Sequence, residues 1–318
     1  MDRRTILKTG VAALAATAGA VALGAPASAN TALIKEYVVS REPGANPEGI
    51  EVTSDGTIYV TSVATGAVLR GHVREPELRP FLAPGVDGRT SATGVHRDRR
   101  GRLFVAGAAT GSLFVYDRSG RLLARRTVDA AASFLNDLAF TADAVYVTDS
   151  VNQTVWRVAL AGDRIGQLTP WVTVGAFDPV PQFVNGIVAS PDGRYLLVGE
   201  QAVDVTYRIE IATRRASQVR IADGQVFSGD GFLLEGRRLY GVWNRQNAAG
   251  EWEFLTRLVE LNRDFTAARV VADSTPVGGA VGPTTIARDR GRLLWVNSQL
   301  PAAPGTPPYL VTEVPGLR

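Results

Sequence analysis

Apolar and polar positions alternate along this chain in short runs, and one arrangement of runs recurs roughly every 45 residues, the period range of repeat architectures. Each copy reads apolar residue, a few polar residues, an Asp or Gly turn, then an apolar run ending in Val. The copies are 50–60 (IEVTSDGTIYV), 95–105 (VHRDRRGRLFV), 138–147 (LAFTADAVYV), 187–198 (IVASPDGRYLLV), 232–242 (FLLEGRRLYGV) and 286–296 (IARDRGRLLWV). Two β-branched or aromatic runs around a turn that tolerates positive φ predict a β-hairpin. A third run follows in four copies, at 66–70, 112–116, 154–158 and 207–211, and a fourth is often readable. Six four-stranded modules predict an all-β, six-bladed β-propeller over residues 30–318. A β-sandwich would alternate without repeating one hairpin at near-constant period. Ring closure is expected between 33–39 and 309–314, with the Pro- and Ala-rich stretch 299–308 a loop of the last blade.

Residues 1–29 stand outside this pattern. Arg3 and Arg4 precede an Ala-rich apolar stretch, 11–23, too short to span a bilayer, and Ala27-Ser28-Ala29 supplies a small-x-small cleavage pattern. The segment resembles a twin-arginine export signal. It predicts recognition by the twin-arginine export machinery and a secreted, extracytoplasmic protein with no membrane attachment after processing. Removing it takes away Arg3, Arg4, Lys8 and Asp2 and leaves 289 residues with 31 basic and 30 acidic groups, a formal charge of +1. The pI of 9.4 therefore carries no argument for nucleic acid. No cysteine and only two histidines exclude a thiol nucleophile, a disulfide scaffold and a His- or Cys-built metal site.

Candidate chemistry lies just before each inner strand, where radial symmetry gathers one residue per blade at an end of the central channel. These residues are Glu48, Thr93, Asn136, Asn185, Asp230 and Thr284. Two carboxylates and two amide oxygens form a hard, dianionic donor set suited to Ca²⁺, with Mg²⁺, Mn²⁺ or Zn²⁺ as substitutes. Asn and Asp are equally turn residues that bond their own backbone. That reading accounts less well for Glu48 in the first module, because Glu is a poor turn residue.

Pro47-Glu48-Gly49, Leu135-Asn136-Asp137, Val184-Asn185-Gly186 and Gly229-Asp230-Gly231, each followed by the hairpin module, resemble the gluconolactonase and regucalcin (senescence marker protein) type of six-bladed propeller over the whole mature chain. That resemblance implies a central divalent metal held by Glu48, Asn136, Asn185 and Asp230, with Asp230 also the catalytic base or nucleophile. Sugar-lactone members place an Arg two residues before the first Asn, where this chain has Phe134. Phe134, Gln182, Phe183 and Phe227, with Thr93 and Thr284, are the expected substrate pocket, more apolar than an aldonolactone needs. The expected activity is metal-dependent hydrolysis of a fairly apolar small-molecule lactone or ester. The alternatives are a non-catalytic ligand- or protein-binding propeller and a metal-dependent cyclase or isomerase of secondary metabolism. Strictosidine-synthase-type propellers generally lack the complete donor set. His72 and His96 are expected to be structural or superficial, Asp149 and Glu200 solvated loop residues, and Asp137 a group orienting a bound water.

Overall fold

The computed structural model describes residues 33–129, 132–173, 177, 182–300 and 305–318. Residues 1–29, read as the export signal, lie outside them. Among the described residues, 26 strands form six antiparallel-built sheets, one for each sequence module. The first four blades each take four consecutive strands, from Pro47–Val52 to Arg79–Leu82, Val95–Arg97 to Leu122–Thr127, Leu135–Phe140 to Arg164–Thr173, and Val184–Ala189 to Ala216–Gln218. The fifth, starting at Phe232–Glu235, gains a parallel outer strand, Arg220–Ile221, on Ala267–Asp273. The sixth is completed by the chain start: Glu36–Ser40 pairs with Tyr309–Glu313, Tyr37 opposite Val311. Ring closure thus falls where the sequence places it.

The apolar faces of these sheets meet blade to blade. Six buried clusters among the described residues fill the six junctions, as where Phe104 and Val115 of blade two pack on Leu138, Val147 and Trp156 of blade three. A sheet buried on both faces explains the dense Val, Leu and Tyr content of the second strands, such as Tyr195–Glu200, buried at every position.

The inner strands share one irregularity that shapes the channel. In blades one, three, four and six the first-to-second strand register slips by one residue, between Pro47 and Ile50, Leu135 and Leu138, Val184 and Ile187, and Pro283 and Ile286. In blades two and five Ala106 and Val242 exchange hydrogen bonds with the consecutive pairs Thr93-Gly94 and Asp230-Gly231. An extra residue of this kind bends a strand and re-aims a side chain. It falls in every blade on the residues singled out in the sequence.

The Gly that follows four of them answers to crowding. A Cβ at Gly49 would lie 2.4 Å from the Thr93 carbonyl oxygen, and one at Gly186 2.6 Å from that of Asp230. Hydroxyls tie the same backbone across blades. Thr93 Oγ1 donates to Leu135 O (2.7 Å), Thr148 Oγ1 to Asn185 O (2.8 Å) and Thr284 Oγ1 to Glu48 O (2.8 Å).

Candidate metal and substrate site

The bulges bring Glu48, Thr93, Asn136, Asn185, Asp230 and Thr284 around one cavity of about 330 Å³ at the end of the channel. Phe134 and Phe183 also line it, together with Val63, Gln201, Asn244, Trp252, Phe254, Gly282 and Leu300. Eight of the ten residues expected at the site are therefore gathered by the fold. The other two are not. Phe227 is buried at a blade junction, its ring 5.7 Å from that of Phe232, because packing beneath the fifth inner strand claims it. Gln182 is exposed and outside the cavity lining, and its backbone N–H lies 3.3 Å from Glu200 Oε1.

Hydrogen-bond supply fixes how the floor residues point. Ser150 Oγ spends its single proton on Val184 O (2.6 Å), so it can only accept from Asn136 Nδ2 at 3.0 Å. Asn136 Oδ1 is thereby left buried with no protein donor, as is Glu48 Oε2. Asn185 Nδ2 donates both protons, to Gln201 Oε1 (2.6 Å) and to Asp230 Oδ1 (2.7 Å). Burial, reinforced by the Asp230 and Asp137 charges, pushes the Glu48 carboxyl well above the usual range. Burial likewise raises Asp230 to about 7, against the hydrogen bonds from Asn185 and Gln201. None of the described residues lining the cavity is a Lys, Arg or His that could compensate. Buried acceptors without donors, beside two carboxylates without a counter-charge, fit an oxygen-coordinated cation. Among the described residues no three His, Cys, Asp or Glu side chains gather as a metal-binding group, so a cation here would rest on two carboxylates and two amides.

The residues just outside the floor depart from expectation. Asp149 and Glu200 are fully buried rather than solvated. Asp149 accepts from Phe134 N (3.0 Å), Ser133 Oγ (2.7 Å), Asn152 N (3.0 Å) and Trp156 Nε1 (3.1 Å). Glu200 accepts from Phe183 N (2.6 Å), Ala202 N (3.1 Å) and Val203 N (2.9 Å). Each carboxylate holds the loop that carries a cavity phenylalanine, and the next residue, Ser150 or Gln201, grips the floor Asn. Spacing gave no sign of this, although a carboxylate at the same strand-end in adjacent blades was a usable signal.

Asp137 accepts from Leu138 N (2.8 Å) and Ile187 N (3.2 Å). His96 is in the channel wall, with Nδ1 2.8 Å from Glu51 Oε2 and Nε2 3.6 Å from Asp137 Oδ1. Burial opposes its charge, but those two carboxylates push it up to about 10. His72 stays on an outer turn, bonded to Asp55 O.

Comparison with known proteins agrees with this architecture. Virginiamycin B lyase from Staphylococcus aureus superposes with a TM-score of 0.59 at 11% identity, over 88% of this chain and 98% of that one. The calcium-binding protein regucalcin from Agrobacterium tumefaciens gives 0.56 at 15% identity, over 89% and 95%. The chain shares the six-bladed propeller fold of these proteins. A family model described as strictosidine synthase-like, N-terminal, matches residues 25–71, up to the third strand of the first blade. Hydrazine synthase from Kuenenia stuttgartiensis shares the fold at a TM-score of 0.54 and 15% identity, over 87% and 88%. No curated protein matches the sequence. Among the described residues no helix is long and apolar enough to cross a membrane.

Proposed function

We propose that this regucalcin-like propeller is a divalent-cation-dependent hydrolase of an apolar lactone or ester. The observation that carries the reading is the pair of donorless buried acceptors, Glu48 Oε2 and Asn136 Oδ1, on a floor that also holds Asp230 and Asn185. Glu48, Asn136, Asn185 and Asp230 would hold the cation, and calcium is the first choice because every donor is a hard oxygen. When bound, the cation supplies Lewis acidity to a carbonyl oxygen.

The protein's own groups account for the remaining steps. Asn185 and Gln201 hold the Asp230 carboxylate in place, and that carboxylate takes a proton from the attacking water. The water oxygen bonds to the carbonyl carbon, the ester C–O bond breaks, and the proton passes from Asp230 to the departing alkoxide. Thr93 and Thr284 commit their hydroxyl protons to neighbouring backbone, so they offer only lone pairs to the cavity. Phe134, where sugar-lactone relatives carry Arg, presents an apolar wall.

A second reading, non-hydrolytic carbonyl chemistry such as cyclisation, draws on the strictosidine synthase-like match and the lyase neighbours. A Staphylococcus aureus virginiamycin B lyase is inactivated by replacing one histidine with alanine, and no histidine is among the described residues lining this cavity, which favours hydrolysis over lyase chemistry. The fold serves unrelated activities, and a purely binding role is the outcome to test against. A hydrolysis screen of aliphatic lactones and aryl esters, with and without Ca²⁺, decides it. Metal-dependent turnover lost in Asp230→Asn supports the hydrolase, and full activity in that variant contradicts it. We also propose, from the export-signal pattern of residues 1–29, that the protein is extracytoplasmic, which cell fractionation of a tagged chain tests.

A further inference from the structure

One blade differs from the other five at the site end. Elsewhere the second and third strands have four to eight residues, whereas Arg238–Gln246 has nine and Trp252–Leu261 has ten. The hairpin runs on past Val242, whose backbone meets Asp230, through the pairs Asn244 with Phe254 and Gln246 with Trp252. A short strand, Val277–Gly278, pairs with Glu253 and Phe254 and stiffens its outer edge. Side chains alternate along a strand. Asn244, Trp252 and Phe254 therefore share one face and line the cavity, while Arg245 and Glu253 on the other face are ion-paired at 3.3 Å.

The facing wall is aromatic as well. Phe134 and Phe183 stand on loops pinned by the buried Asp149 and Glu200. Trp252 is 44% exposed, Phe183 39% and Leu300 40%, an apolar rim open to solvent above a floor of oxygens. A volume of 330 Å³ is at the small end of the range of about 300–1,000 Å³ for ligand pockets, room for one or two rings. An ionised ligand would lose its hydration here without a cationic side chain to replace it.

We infer that the cavity selects a neutral, apolar ligand whose body is an aryl or compact hydrocarbon ring, and that Trp252 on the extended hairpin is its specificity-determining residue. The inference deepens the hydrolase reading by naming a substrate class, and rests on that reading only for the bond that breaks.

Calorimetric titration of the full chain separates the two. Three probes are used in chelator at pH 8: valerophenone, an aryl ketone with no hydrolysable bond; 5-phenylpentanoate, a similar body with a carboxylate; and D-glucono-1,5-lactone. The ketone should bind, at least about tenfold more tightly than either other probe, with Trp252→Ala weakening it about tenfold and Trp252→Phe restoring most of the loss. Trp252 lies at the rim, so an unchanged thermal melt should accompany the variant. No ketone binding, equal binding of the three probes, or an undiminished affinity in Trp252→Ala would overturn the inference. Ketone binding that behaves as expected, with no ester turned over in metal, would support the recognition and remove the hydrolase.

Discussion

Two pairs of buried carboxylates lie close to the same cavity and are treated oppositely by the fold. Asp149 and Glu200 accept several N–H and O–H donors each, and in Asp149 those bonds outweigh burial and hold the carboxyl below the usual range. Glu48 and Asp230, one bulge away on the channel axis, receive few donors, and burial pushes both up. Satisfied carboxylates are structural, since they replace water for loop N–H groups that would otherwise be stranded. Under-satisfied ones, beside an equally bare Asn136 Oδ1, are the ground on which we propose a bound cation.

The largest effect that would break this contrast is on stability. Asp149→Ala strands several buried donors and should cost about 3 kcal/mol or more in urea unfolding, with Glu200→Ala comparable. A loss below about 1 kcal/mol in both would mean the clamps are dispensable. The axial pair should respond in the reverse direction. In chelator, Glu48→Gln or Asp230→Asn removes repulsion and should leave stability unchanged or raise it by about 1 kcal/mol, whereas in Ca²⁺ the same variants should lose the stabilisation that the wild type gains.

Acidity sharpens the comparison further, because the two kinds of carboxylate carry opposite signs. Asp149 is depressed in the folded chain, so its stabilisation is complete above the unfolded value of about 3.9 and is lost as pH falls below that toward the folded value. Asp230, raised to about 7, holds a proton that the unfolded chain has already released. Metal-free stability should therefore decline as pH climbs from about 4 to 7, and Asp230→Asn should flatten that limb. Urea titrations across pH 3–8 read both limbs. The smallest effect belongs to Gln182→Ala, at an exposed position off the cavity, which should change stability by less than about 0.5 kcal/mol and leave ligand binding intact.

The hairpin repeat made the propeller legible, because turn chemistry and apolar alternation are local and each blade repeats them. The axial residues were legible for a related reason: six equivalent positions can be aligned without knowing any contact. What escaped depends on contacts between segments with no fixed spacing. Asp149 and Glu200 look like loop residues until the preceding loops fold back onto them. Phe227 has the character of a mouth residue, yet the ring of Phe232 competes for it and draws it into a blade junction. Trp252 lies in a stretch that alternates as Trp-Glu-Phe after an Asn-Ala-Ala-Gly turn, a readable sign of a longer hairpin, but which face meets the cavity is set by its register against Gln246.

The central claim is that Glu48, Asn136, Asn185 and Asp230 form one cation site. Its most direct test is calorimetric titration of Ca²⁺ into the chelator-stripped chain, beside the Glu48→Gln/Asp230→Asn double variant. One bound ion per chain in the wild type, absent from the double variant, is the result predicted here. No binding by the wild type, or undiminished binding by the variant, would contradict it and leave the four residues a purely structural place at the inner-strand bulges.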